Sequence, residues 1–293
     1  MLVIDLQGGL GNQLFQYATA RAKAGSAKPL LNMRILRNDI KRRLGLDSYA
    51  IHANVVNSLD LRRPGRLRRW AARAGLRTGS LRQFPFDAPI YMEDDSLGCF
   101  DERVVALRPP VVLRGYFQSE RYFSAIAPLL RAELVPMRKP CDTYLYMERA
   151  IRDAGAASVS VHVRRGDYAN DLKVLAFHGL LGEDYYGKAL AKVGSHVPAP
   201  HLFVFTDDPT ATAALLPRGL AATMVSGRSL TDVDELALMS TCRHHVIANS
   251  SYSWWGAWLG APDGMTVAPQ RWFAQPSEAA IRDRFPAHWH VVE

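Results

Sequence analysis

The sequence has little cysteine, no long apolar run and no internal repeat, and each absence removes a class of protein. Three cysteines in 293 residues (Cys99, Cys141, Cys242) are too few and too scattered for a disulfide framework or a zinc site. That scarcity fits a reducing compartment. No segment approaches the ~20 consecutive apolar residues that span a bilayer. The first residues, Leu2-Val3-Ile4-Asp5-Leu6, read as a strand and lack the basic-then-apolar pattern of an export leader. A bacterial-type cytoplasmic protein is expected, which makes the Asn249-Ser250-Ser251 sequon coincidental. The 21 glycines and 17 prolines are dispersed, so no low-complexity segment has to be set aside.

What is present suits one large or two medium globular domains: 48% hydrophobic residues can bury a sizeable core, and 22% are charged. The net charge of +8 is concentrated, with eight arginines between Arg62 and Arg82 and a nearly neutral remainder. A nucleic-acid binder would spread its cations along one face or interleave them with stacking aromatics, so nucleic acid is not an expected partner. The span has two readings. One is a solvated helix and loop; the other is a patch for anionic lipid, giving peripheral contact with the inner membrane or a lipid-linked acceptor.

Strand-like runs alternate with helical patterns, which predicts an α/β fold with parallel sheets. Leu2 to Leu6 precedes a glycine turn and a helix with Leu14, Ala18 and Ala22 on one face and Gly25 as its C-terminal stop. Leu30-Leu31 and Val111-Val112-Leu113 read as further strands, the latter leading to a helix bearing Phe123, Ile126, Leu130 and Leu134. The pattern restarts after Pro136 and Pro140, with strands at Val159 to Val163, Leu202 to Phe205 and Val246 to Ala248. The expected division is 1–145 and 146–293, the last helix packing back on the first domain.

In parallel sheets, ligands bind beyond the carboxyl ends of the strands. His162, Arg164, Arg165, Gly166 and Asp167 stand at one such end. Thr206, Asp207 and Asp208 stand at the second, and Asn249, Ser250, Ser251 and Tyr252 at the third. Guanidiniums match phosphate oxygens in pairs. A serine-capped helix start adds free N–H groups and a positive dipole end. A carboxylate such as Asp208 can accept the N–H edge of guanine. The bland alternatives are surface arginines, a turn at Asp207-Asp208-Pro209, and core packing by Trp254, Trp255 and Trp258.

Gly8-Gly9-Leu10-Gly11-Asn12-Gln13 follows a strand but places Leu14 where a dinucleotide fingerprint needs a third small residue. It reads as a tight turn facing a ligand rather than an NAD site. Asp232-Val233-Asp234 has the spacing of a manganese motif, yet Asp232 with Glu235 also reads as a capping box, and no metal or other cofactor is expected.

Six blocks in order resemble the bacterial α-1,2-fucosyltransferase family, glycosyltransferase family 11. They are Gly8-Gly9-Leu10-Gly11-Asn12-Gln13-Leu14-Phe15, Gly115-Tyr116-Phe117-Gln118-Ser119, and His162-Val163-Arg164-Arg165-Gly166-Asp167-Tyr168. Phe177-His178-Gly179 with Asp184-Tyr185-Tyr186, Phe205-Thr206-Asp207-Asp208-Pro209, and Asn249-Ser250-Ser251-Tyr252-Ser253-Trp254-Trp255-Gly256 complete the set. The arginine-rich span matches none of them. The resemblance implies a GT-B fold of two Rossmann-like domains facing across a cleft, and metal-independent, inverting transfer of fucose from GDP-fucose to the 2-hydroxyl of a galactose-containing glycan. It implies Gly9, Gly11, Asn12, His162, Arg164, Arg165, Asp207, Asp208, Asn249, Ser250, Ser251 and Tyr252 on the donor, and Gln13, Gln118 and Tyr168 on the acceptor. Arg164 stabilises the leaving phosphate, and the base lies among Asp171, His178, Asp167 and Glu183. A transferase of other linkage, a non-catalytic nucleotide or glycan binder, and an NAD enzyme are the competing readings.

Overall fold

The alternating pattern resolves into two parallel sheets in the computed structural model, which describes residues 1–57, 88–93, 100–165, 172–275 and 281–293. The first sheet contains β1 (Leu2–Asp5), β2 (Leu30–Asn32), β3 (Asn54–Val56), β4 (Ile90–Met92) and β5 (Val111–Arg114) in the order β3-β2-β1-β5-β4. The second contains β6 (Ser158–Val163), β7 (His201–Thr206), β8 (Ala221–Met224), β9 (His244–Val246), β10 (Thr266–Pro269) and β11 (His290–Val292) in the order β11-β10-β9-β6-β7-β8. Every pairing is parallel. The carboxyl ends of each sheet therefore share one rim, as the strand-end reading required. The central strands β1 and β6 are buried along their whole length, as in a sheet covered on both faces, although β6 alternates Ser158, Ser160 and His162 with valines.

Among the described residues the helices are α1 (Leu10–Ala24), α2 (Glu102–Ala106), α3 (Ala127–Glu133), α4 (Asp142–Ala154), α5 (Leu172–His178), α6 (Glu183–Gly194), α7 (Pro209–Thr212), α8 (Asp232–Thr241) and α9 (Ser251–Leu259). Gly25 ends α1 with φ 61°, a conformation that costs most residues a steric clash. The helix expected to carry Phe123 through Leu134 breaks into two short 3₁₀ turns before α3. Pro128 explains the break: without an N–H it fits only the first turn of a helix, where it sits. The strand expected at Val246 to Ala248 lies two residues earlier, as β9.

α4 packs on α8 and β6, and the expected divide at residues 145/146 falls within it. The last helix is expected to pack back on the first unit, and residues 276–280 near the chain's end lie outside the described residues. Ile281, Phe285 and Trp289 nevertheless pack on the same apolar cluster as the first unit.

One core joins the two units. Phe15 of α1 meets Trp254 and Trp255 of α9 with ring centroids 4.5 and 5.1 Å away, and Phe123 stacks on Trp255 at 5.4 Å. The tryptophans are thus core, the bland reading. At Gly11, a Cβ would stand 2.5 Å from the backbone of Ser251 and Tyr252, so α1 and α9 touch main chain to main chain. Both helices begin at the carboxyl rim of their own sheet, so the two rims face each other. This is the GT-B arrangement of two Rossmann-like units.

Candidate active site

The second sheet builds the rim's charged half. Arg164 and Arg165 leave the end of β6, and Asp207 leaves the neighbouring end of β7. Asp207 Oδ2 lies 2.9 Å from Arg164 Nη1, and its Oδ1 accepts from the Arg165 backbone N–H at 2.8 Å. One carboxylate therefore sets both the guanidinium and the turn that carries it. The Arg164 and Asp207 side chains are each 24% exposed, sheltered yet reachable. The same turn is tied from below, where Tyr186 Oη donates to the His162 carbonyl at 3.1 Å. Asp167, one of the expected bases, lies outside the described residues with Gly166, Tyr168 and Asp171.

His162 ends β6 almost wholly buried, its ring tilted against that of Tyr252 at 5.7 Å. Burial, with Arg164 adding to it and Asp207 opposing, pulls its pKa down to about 3. The imidazole is neutral across the physiological range, and its Nδ1 has no hydrogen-bond partner among the described residues.

α9 points its start at the same rim. Ser250 is the N-cap, its hydroxyl accepting from Tyr252 N, and Ser251 is the first helical residue. The helix start thus supplies oriented N–H groups and a positive dipole end to an anion. Two neighbours assigned to the donor are engaged elsewhere. Tyr252 Oη donates to the Asp232 carbonyl at 2.5 Å, so its phenol fastens α9 to α8. Asn249 Nδ2 donates to the carbonyls of His178 and Trp272, fixing the end of α5.

Other residues expected at the site also have partners within the protein. Gln13, expected on the acceptor side, is fully buried. Its Nε2 donates to the carbonyls of Gly8 and Arg43, and its Oε1 accepts from Gly45 N. No polar atom of it remains for a sugar. Gly11, expected against the donor, is the contact point of α1 with α9. Asp208 caps α7, accepting from Ala211 N at 3.0 Å. The capping box of α8 is Thr231 with Asp234, one residue before the pair read from sequence. Among the described residues no three His, Cys, Asp or Glu side chains group as a metal centre.

Asn12 and Gln118 do come together. Gln118 Nε2 donates to Asn12 Oδ1 at 2.7 Å, and Arg284 Nη1 donates to Gln118 Oε1. Arg284 is itself buried over the Trp272 and Phe273 rings. His178 ends α5 with its ring 5.8 Å from Phe273. Gly9 precedes α1 on the same side, near Arg42.

Sequence reasoning missed two groups. Glu235, in the first turn of α8, accepts from Ser226 Oγ at 2.6 Å, while Ser226 Oγ accepts from Thr206 N at 2.9 Å. The carboxylate therefore sits beside the end of β7, and burial raises its pKa. The first sheet's rim carries Asp5, 1% exposed, bound to Arg114 Nε at 2.7 Å and to Asn32 Nδ2 at 2.7 Å. Three strands, β1, β2 and β5, each contribute one member. Asp5, a charge inside an otherwise apolar strand, was the available signal.

The description "Glycosyl transferase family 11" matches residues 102–293. An α-1,2-colitosyltransferase of Escherichia coli is 30% identical over 305 residues, covering 100% of this chain and 99% of that protein. The O-antigen biosynthesis glycosyltransferase WbnK of Escherichia coli is 27% identical, over 94% of this chain and 96% of its own. The crystal structure of fucosyltransferase NodZ from Bradyrhizobium is 13% identical with a TM-score of 0.43, covering 88% of this chain and 93% of that one.

Proposed function

Because the chain belongs to glycosyltransferase family 11, we propose that it transfers L-fucose from GDP-fucose to the 2-hydroxyl of a galactose-containing glycan. One observation carries the reading: Arg164, paired with Asp207, and Arg165 stand on the same rim as the Ser250-capped start of α9. That pairing suits a diphosphate, which needs planar cations along one edge and oriented N–H groups along the other. Charge building on the leaving phosphate is met by Arg164 and the Ser250–Ser251 turn. The reading is inversion without a metal.

Glu235 supplies the acceptor for the N–H edge of guanine, in place of Asp208, one of whose oxygens caps α7. Neutral His162 packs beneath the nucleotide. Asn12, held by Gln118, faces the diphosphate from the first unit. Asp171 and His178 lead the candidates for the base that takes the acceptor's proton, with Asp167 and Glu183 behind them. The Asp171→Asn and His178→Gln variants separate them, since the base variant loses turnover while keeping GDP affinity.

A second reading changes only the donor sugar. It is favoured by the full-length likeness to a colitosyltransferase, and it keeps every phosphate and guanine contact. The deciding experiment offers GDP-fucose and GDP-colitose with a panel of β-galactosides in EDTA, followed by linkage analysis. GDP release that requires a galactoside, with a 1,2-linked fucosyl product, supports the first reading. Turnover with GDP-colitose alone selects the second. Tight GDP binding without turnover on any acceptor makes the protein a binding module, and a thermal shift with NAD but not GDP overturns the site.

A further inference from the structure

We propose that residues 37–43 form a docking tip for an anionic bilayer, a reading independent of the donor sugar. The segment follows β2 on the carboxyl side of the first sheet. Both of its flanks are anchored, since Leu36 is 1% and Leu46 0% exposed. Its base is clamped by Gln13, whose amide binds the Arg43 carbonyl at 2.8 Å and Gly45 N at 2.9 Å. Between these anchors Ile40 stands 98% exposed.

The charge around that isoleucine is one-sided. Arg34, Arg37, Lys41, Arg42 and Arg43 face a single acid, Asp39, within ten residues of sequence. Arg37, Lys41 and Arg43 are exposed. An isolated exposed isoleucine is ordinary on a protein surface. At the apex of an anchored cationic loop it makes the two-signal combination that holds proteins on membranes, an apolar group to enter the headgroup layer and cations to meet its phosphates. The segment has no aromatic residue, so it lacks the stacking platforms of a nucleic-acid surface.

Position gives the tip a purpose. The Arg42 guanidinium reaches within 3.5 Å of where a Cβ on Gly9 would sit, so the loop stands beside the α1 start and the facing rims. A bilayer engaged there would present membrane-held molecules at the mouth of the cleft. The arginine-rich residues 62–82 lie outside the described residues and take no part in this assignment.

Flotation with phosphatidylglycerol vesicles, against phosphatidylcholine vesicles, tests the proposal on the full chain. Binding to the anionic vesicles alone, weakening with salt, is expected. The R37Q/K41Q/R43Q variant should lose on the order of 100-fold in partitioning, and Ile40→Ser roughly tenfold, with melting temperatures unchanged. Wild type that ignores phosphatidylglycerol, or a triple variant that binds it equally, overturns the proposal. Salt-sensitive binding to heparin without vesicle binding also overturns it, because the surface would then serve a soluble polyanion.

Discussion

Arg164→Lys is the most direct probe of the charged rim. The arginine keeps Nη1 at 2.9 Å from Asp207 while its planar fork can still meet phosphate oxygens. An ammonium is a point charge and cannot hold both partners in a fixed plane. Net charge is unchanged, so the loss isolates geometry. Removing one preorganised donor from a developing anion costs about 2.7–4 kcal/mol, or roughly 10²–10³ in kcat. Stability should move by less than about 1 kcal/mol, because both partners are 24% exposed and solvent screens the pair. The assay is GDP release under saturating donor and acceptor, with a melting curve as control. Asp207→Asn sharpens it. If Asp207 acts by holding Arg164, the substitution should lower kcat in wild type and add little in the lysine background. Turnover of the lysine variant within threefold of wild type would refute the clamp. Fully additive losses would refute the coupling to Asp207.

Three other perturbations read separate parts of the structure. Glu235→Gln replaces a charged acceptor beside β7 and should weaken GDP binding by about 2 kcal/mol, while erasing any preference for GDP over inosine diphosphate in calorimetry; an unchanged preference would place the base elsewhere. Gly11→Ala forces a methyl to 2.5 Å from the Ser251–Tyr252 backbone, so about 1–3 kcal/mol of stability should vanish, and an unaltered Tm would contradict that contact. Burial holds the pKa values of His162 and His245 at about 3 in the folded state. As pH falls below about 6.5, unfolded imidazoles bind protons that the folded ones refuse, so stability drops by about 2 kcal/mol per residue at pH 5. Glu235, with its raised pKa, acts in the opposite direction at lower pH. Denaturant midpoints that stay level between pH 7 and pH 5 would count against the burial of these histidines.

The strand-end clusters were legible because chain order and parallel pairing together determine which residues share a rim. His162, Arg164, Asp207 and Ser250 needed no tertiary information beyond that rule. What escaped was partner choice. Gln13 and Gly11 look identical in sequence whether they face a ligand or a neighbouring helix. The structure gives Gln13 to residues 43–45 and Gly11 to α9. The partner of Tyr252 was hidden for a similar reason, as its phenol meets a carbonyl 20 residues earlier in the chain. Glu235 was passed over because a first-turn acid on a helix usually serves the dipole. Only the hydroxyl of Ser226, arriving from beyond β8, sets it at the rim.

The core shared by the two units bears on how the cleft can work. A hinge between them would separate Phe15 and Phe123 from Trp254 and Trp255, all nearly inaccessible. Each such ring buries about 150–250 Å², worth about 4–6 kcal/mol at 25 cal/mol/Å². Exposing two would cost as much as the whole net stability of a typical domain. Backbone contact at Gly11 leaves no slack for the helices to slide instead. Entry and release of a nucleotide must therefore rely on the loops around the rim. On this reasoning the glycine-rich turn after β1 acts first as a joint. It brings the start of α1 against the start of α9, and so carries Asn12 to the edge on which Arg164 stands.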